Sequence, residues 1–166
     1  VTSSEKSLGG MGIQYESEMV YQSLRKDLEE KKVIFCSIED AIKNHPELVK
    51  KYLGKLIKNS EHRYSALNSA LFSGGSFIYV HTNTILDRPL QSYFRIDTEN
   101  LGQFERTLII IDDNSSASYI EGCTAPVSST DSLHAANVEV YVGKNSYFRF
   151  TTVQNWSTNV INMVTE

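Results

Sequence analysis

The chain has 166 residues, 40% of them hydrophobic and 22% charged, and a formal net charge of −4 at pH 7. That length suits one domain, or one domain with a small appendage, able to remove roughly 70% of its unfolded surface from water. The acidic balance excludes a sequence-independent nucleic-acid binder, which needs a basic stripe, and no apolar run nears the roughly 18 residues of a membrane helix.

From the start, Val1 to Gly12 is rich in Ser and Gly and reads as a flexible lead-in without the charged-then-apolar pattern of an export signal. From Glu16 to Lys32, Met19, Val20, Leu24 and Leu28 fall near helical spacing and predict an amphipathic helix. Val33 to Cys36 is a short apolar piece. Ser37 is a candidate N-cap, Pro46 opens a further helix stopped at Gly54, and Ser60 is placed to cap a last helix ended by Gly74-Gly75.

Beyond Gly75 the texture changes. Ser76 to Val80, Leu90 to Ile96, Glu105 to Ile111, Ala117 to Glu121, Ala136 to Val142 and Ser146 to Gln154 are short and rich in β-branched and aromatic residues. Asp112-Asp113-Asn114 and Gly143-Lys144-Asn145 punctuate them as turns. The expected organisation is α+β, with a helical region over 1–74 and a β region over 75–166. A sandwich, a barrel and a β-solenoid all remain open at this point. Gly74-Gly75 lacks any phosphate-loop context, so a nucleotide site is not expected.

The stretch from Tyr119 to Trp156 concentrates the chemistry. Cys123 lies among alternating polar and apolar residues, with His134 further on and the single tryptophan, Trp156, beyond it. Alternation places Tyr119, Glu121 and Cys123 on one face, and Phe148, Phe150, Thr152, Gln154 and Trp156 on another. Gln91, Tyr93, Arg95 and Asp97 share a third. Cys123 and Cys36 form no metal-ligand spacing and suit a reducing compartment as free thiols. A Cys123–His134 nucleophilic pair oriented by Asp131 lacks any hydrolase signature, and His134 among Leu133, Ala135 and Ala136 reads as a structural residue. Cys36 reads as core.

Several of these segments together carry a resemblance. Phe72 to Tyr79, Pro89 to Ile96, Gly102 to Ile109, Tyr119 to Pro126 and Val153 to Trp156, with Val33 to Cys36 and His45 to Tyr52 in the front half, closely resemble the SufB branch of the SufB/SufD family. These are scaffold subunits of the SUF iron–sulfur cluster assembly system. The resemblance implies a small helical N-terminal region followed by a right-handed parallel β-helix. By length it implies an N-terminal to central fragment, with the solenoid incomplete.

It also implies a function: a non-enzymatic scaffold that accepts sulfur and helps build a nascent cluster for transfer to apoproteins. Partners would be a SufC-type ATPase, a SufD-type paralogue, and a SufE- or SufU-type sulfur donor fed by a cysteine desulfurase. Neither nucleic acid nor membrane is among them. Cys123 corresponds to the family's sulfur acceptor; Arg95, Gln154 and Trp156 correspond to residues lining a sulfur route. Arg95 would favour the Cys123 thiolate. Asp97 stands where the family commonly has Asn, and His81 where it has Pro.

The transient Fe–S cluster would draw its ligands from outside these residues, with no metal held within the chain, and a reduced flavin belongs to the full complex. A plastid or the bacterial cytoplasm is the implied location. The alternative of a different class is a non-catalytic β-solenoid module that pairs with a paralogue, with Cys123 a small buried hydrophobe.

Overall fold

The computed structural model describes residues 7–16, 18–95, 102–125 and 131–166. Among the described residues, ten strands and four helices follow one another as β1 (Gly10–Tyr15), β2 (Glu18–Leu24), α1 (Lys26–Glu30), β3 (Ile34–Ser37), α2 (Ile38–Asn44), α3 (Pro46–Tyr52), α4 (Arg63–Leu71), β4 (Ser76–Val80), β5 (Leu90–Arg95), β6 (Gly102–Ile111), β7 (Ser116–Thr124), β8 (Ser132–Val142), β9 (Tyr147–Asn155) and β10 (Val160–Thr165). They form an α+β fold with two five-stranded mixed sheets, ordered β2-β1-β5-β7-β9 and β10-β8-β6-β4-β3.

From β4 onward consecutive strands alternate between the two sheets. Each pairs in parallel with the strand two places later, except at the sheet ends. Equivalent positions recur 31 residues apart, as in the bonds Thr84 N–H to Ser115 Oγ, Ser115 N–H to Ser146 Oγ and Lys144 N–H to Asp113 Oδ1. One corner carries stacked turns in which Asn83, Asn114 and Asn145 adopt left-handed φ of 59°, 57° and 56°. Asparagine tolerates that conformation better than most residues, which is why the turn sequences recur with it.

Alternation along the strands sorts two cores. Ile78, Val80, Ile109, Ile111 and Val138 of one sheet face Leu90, Ala117 and Tyr119 of the other, with Leu28, Val33 and Phe35 closing the end. The opposite parity, Phe77, Leu108 and Ile110, packs outward against Ile38, Ala41 and Val49 of α2 and α3. Ser37 caps α2 by accepting from Asp40 N–H at 3.1 Å, and Pro46 occupies the first turn of α3, as their sequence positions predict. The cap of α4 differs: His62 Nδ1 accepts from Ser65 N–H at 3.2 Å while Ser65 Oγ accepts from His62 N–H at 3.1 Å, so Ser60 is not the cap.

The front region departs from expectation in a second way. Gly10–Tyr15 is a strand, not a loose lead-in, and Glu18–Leu24 is its antiparallel partner, not a helix. The cause is non-local: β1 lies parallel to β5 in register over its full length, and that pairing outweighs a weak helical period. β3 likewise pairs with β4, so three strands from residues before 75 belong to the same sheets as the rest. Ile96 and Asp97 lie outside the described residues.

Candidate functional site

The space between the sheets is divided. Toward the asparagine corner it is aliphatic; toward the ends of β5, β7 and β9 it is polar. Tyr119, Glu121 and Cys123 follow one another on the inward face of β7, at 0%, 5% and 2% exposure. Across from them, β6 presents Gln103 and Glu105, and β8 presents His134, all buried. In the outermost pair of strands, Gln154 is the register partner of Cys123 and Asn162 that of His134.

These groups are wired together. His134 Nε2 lies 3.3 Å from Glu105 Oε2 and Nδ1 lies 2.7 Å from Asn162 Oδ1. Asn162 Nδ2 donates to Gln154 Oε1 at 2.8 Å, and Trp156 Nε1 donates to the same oxygen at 3.2 Å. The Trp156 ring sits 4.7 Å from the His134 ring. On the β7 side, Tyr119 O–H is 3.2 Å from Glu121 Oε2 and 3.3 Å from Ser76 Oγ, itself 2.7 Å from Ser92 Oγ. Both amide atoms of Gln103 and Glu105 Oε1 are buried without a hydrogen-bond partner.

The electrostatics follow from burial. Removal from water pushes the Glu121 carboxyl up to about 8, and the Glu105 carboxylate adds to the shift. The Cys123 thiol is pushed up still further beyond its ordinary value, first by burial and then by the carboxylates of Glu121, Glu105 and Glu166. For His134, burial opposes the charged ring, but the Glu105 and Asn162 bonds outweigh it and the net shift is upward.

Of the sequence-predicted residues, the structure brings Gln154 and Trp156 to the thiol's side of the wall and leaves Arg95 off it. Arg95 is in register with Thr124, shares the outward parity of Gln91 and Tyr93, and is exposed. Its guanidinium therefore does not favour the Cys123 thiolate; carboxylates face the thiol and disfavour it. Asp131 is exposed, and Glu105 orients His134 in its place. Cys36 is half-buried along a groove with Phe35 and Asp40; burial first, then Asp40 and Glu39, push its thiol up to about 12. Both cysteines are free.

Sequence reasoning missed Glu105, Glu121 and Gln103. The available signal was their parity: Glu105 shares the face of Ile109 and Ile111, and Glu121 that of Tyr119. A carboxylate on a core-facing parity is unusual enough to mark a site. Among the described residues no group of three or more His, Cys, Asp and Glu side chains is arranged to hold a metal ion, and no helix is long and apolar enough to cross a membrane.

Comparison with known proteins places the chain. Residues 13–92 match the family model described as the SufBD protein N-terminal region, and residues 94–166 match that of the SUF system FeS cluster assembly SufBD core domain. Over 162 residues the chain is 54% identical to an iron–sulfur cluster assembly SufBD family protein of Staphylococcus saprophyticus and to one of Staphylococcus aureus, and 53% identical to one of Staphylococcus haemolyticus. Each alignment covers 98% of this chain and 35% of the relative, so the chain spans about a third of the length of the curated relatives it matches.

Proposed function

Since the chain belongs to the SufBD family of iron–sulfur cluster assembly proteins, we propose that it is part of a SufB-type scaffold in which Cys123 takes up sulfur for a nascent cluster. The two sheets, with strands alternating between them, are then the walls of a parallel β-helix. Its right-handed winding follows from the strong preference of parallel crossovers. Residues before 75 flank it with α1 to α4 and add β1, β2 and β3 to its walls, and 75–166 supply its coils.

The observation that carries this reading is the thiol's setting: Cys123 faces a polar interior with Glu121 on its own strand and Gln154 in register beside it. A dry aliphatic wall would have argued for packing alone. Gln154 and Trp156 line the way onward, and Arg95, on the outer face, falls outside that route. Sulfur arrives from a SufE- or SufU-type donor served by a cysteine desulfurase. A SufC-type ATPase and a SufD-type paralogue complete the assembly, so the chain itself is no enzyme. The cluster is cargo whose ligands come from beyond these residues, and a reduced flavin belongs to the complete complex. The bacterial relatives point to the bacterial cytoplasm; none supports a plastid.

The test is Cys123→Ser in the full-length protein exposed to a persulfide-loaded donor. Mass spectrometry of the wild type should show added sulfur on Cys123, and the variant should show none and fail to mature clusters. Normal maturation by the variant would sink the acceptor reading. One observation favours a second reading, a β-solenoid module that pairs with a paralogue: the thiol is deeply buried and its ionisation disfavoured. Under that reading Cys123→Ser is silent, and disruption of the β9 or β10 edge abolishes assembly.

A further inference from the structure

A buried thiol that faces carboxylates raises a chemical problem. Only the thiolate attacks a persulfide, and a new uncompensated charge inside the fold is strongly disfavoured. The proton needs an acceptor already in place, and one whose own charge is lost as the thiolate forms.

We propose that Glu121 is the proton acceptor for the Cys123 thiol, an assignment that rests on Cys123 being the sulfur acceptor. The two residues share the inward face of β7, two positions apart, which places their Cα atoms about 6.6 Å from each other. The carboxyl is bonded to Tyr119 in the structure, and a rotation of the side chain toward Cys123, or one bridging water, would close that gap. The Tyr119 hydroxyl holds the carboxyl at Oε2 from the opposite side. Moving the proton turns a carboxylate and a thiol into a carboxylic acid and a thiolate, so the negative charge shifts along the strand and the interior gains none.

The neighbours are less suited. Both His134 nitrogens are engaged, one with Asn162 and one with Glu105. Glu105 is tied to that imidazole on the facing sheet, and Arg95 looks outward. The groups facing Glu121 are Tyr119 on its own strand, Ser92 and Ser76 behind it, Thr152 beside it in β9, Glu105 and His134 across the interior, and the Glu166 charge at longer range. Burial first, and then Glu105, raise the carboxyl while Tyr119 and His134 lower it, leaving it at about 8, near the pH at which a general base works best.

The step balances without an oxidant. The Cys123 thiolate attacks the outer sulfur of a protein cysteine persulfide, R–S–SH. A new S–S bond gives Cys123–S–SH as the donor's own S–S bond breaks. The donor leaves as a thiolate and recovers the proton from Glu121 as R–SH. The transferred sulfur keeps its oxidation state.

The experiment measures alkylation of Cys123 by iodoacetamide in the full chain, from about pH 6 to about pH 10. Peptide mass spectrometry separates Cys123 from Cys36. The wild-type rate should inflect near the carboxyl's titration at about 8. Glu121→Gln should remove that inflection and slow the neutral-pH reaction by about 100-fold, the lower end for acid–base assistance. An equal or faster rate in Glu121→Gln overturns the proposal, because loss of a like charge alone makes the thiolate easier to form.

Should Glu121→Gln lose its circular dichroism signal, Tyr119→Phe decides. Removing the hydroxyl that favours the carboxylate should move the inflection to higher pH, and an unmoved inflection overturns the assignment. Sulfur uptake from a protein persulfide is measured in parallel. A wild type that shows the Glu121 inflection yet takes up no sulfur refutes the acceptor reading and leaves the proton acceptor standing.

Discussion

Glu139 offers the sharpest test of how the helical layer is held to the sheet. Its side chain is 0% exposed and accepts backbone N–H groups from Gly54 at 2.7 Å, Leu56 at 2.9 Å and Ile57 at 3.1 Å. Arg106, 4% exposed, lies 3.4 Å from the same carboxylate and donates to Ile57 O at 2.8 Å and Ser69 Oγ at 2.6 Å. Glu139→Ala strands a buried guanidinium, worth about 3–5 kcal/mol when its partner alone is removed. It also orphans three N–H groups at about 1–3 kcal/mol each. The 54–57 loop can lift off and hydrate those groups, so the expected loss is about 4 kcal/mol, a large part of the roughly 5–15 kcal/mol that holds a domain together. Urea unfolding measures it, and hydrogen exchange should show the amides of 54–57 released ahead of the sheet. Replacing both charges, as Arg106→Met with Glu139→Leu, should recover part of the loss. A loss under about 1 kcal/mol in Glu139→Ala, or unchanged exchange at 54–57, would refute the anchoring argument.

Gly75→Ala should prevent folding outright: φ is +128° and an added Cβ would sit 2.1 Å from Arg106 O, a clash on top of about 1–3 kcal/mol of backbone strain; soluble yield and Tm report it. Stability should fall as pH rises. The Glu121 carboxyl titrates at about 8 when folded against 4.5 otherwise, so the folded state holds an extra proton between those values, and the stability this contributes, full below about 4.5, is lost progressively as pH rises to about 8. His134, also raised when folded, acts in the same direction, with stability lost as pH climbs from about 6.5 through its folded value. Urea midpoints against pH should show a decline on the order of a few kcal/mol that Glu121→Gln flattens. Cys36, with its thiol pushed up to about 12, should alkylate far more slowly at neutral pH in the folded protein than after denaturation, and equal rates would contradict its burial.

The strands after Gly75 were legible because β-branched runs between Asp-Asn and Gly-Lys-Asn turns carry their conformation locally; Ser76–Val80 falls where the pattern puts it. Val160–Thr165 and Gly10–Tyr15 were not, since short segments with Asn162, Gly10 and Gly12 become strands only by lying along β8 and β5. At the site, motif resemblance singles out Cys123, and parity puts Glu121 on its face without assigning it a role. Which side of β5 faces in is another matter. Leu90, Ser92 and Phe94 go inside, yet Tyr93 on the other face is equally plausible core by composition, and Arg95 follows Tyr93. Parity within a strand is written in the sequence; its sign is set by what the neighbouring strand presents. The Glu105–His134 pairing depends on β6 and β8 lying side by side, information absent from either segment alone.

The asparagine corner has a consequence for how such a protein can change. Its turns interlock from one layer to the next, through Asn83 N–H to Asp113 O, Asn114 N–H to Lys144 O and Asn145 Nδ2 to Asn114 Oδ1. They act like the thread of a screw: a residue gained or lost there would turn every later side chain inside out.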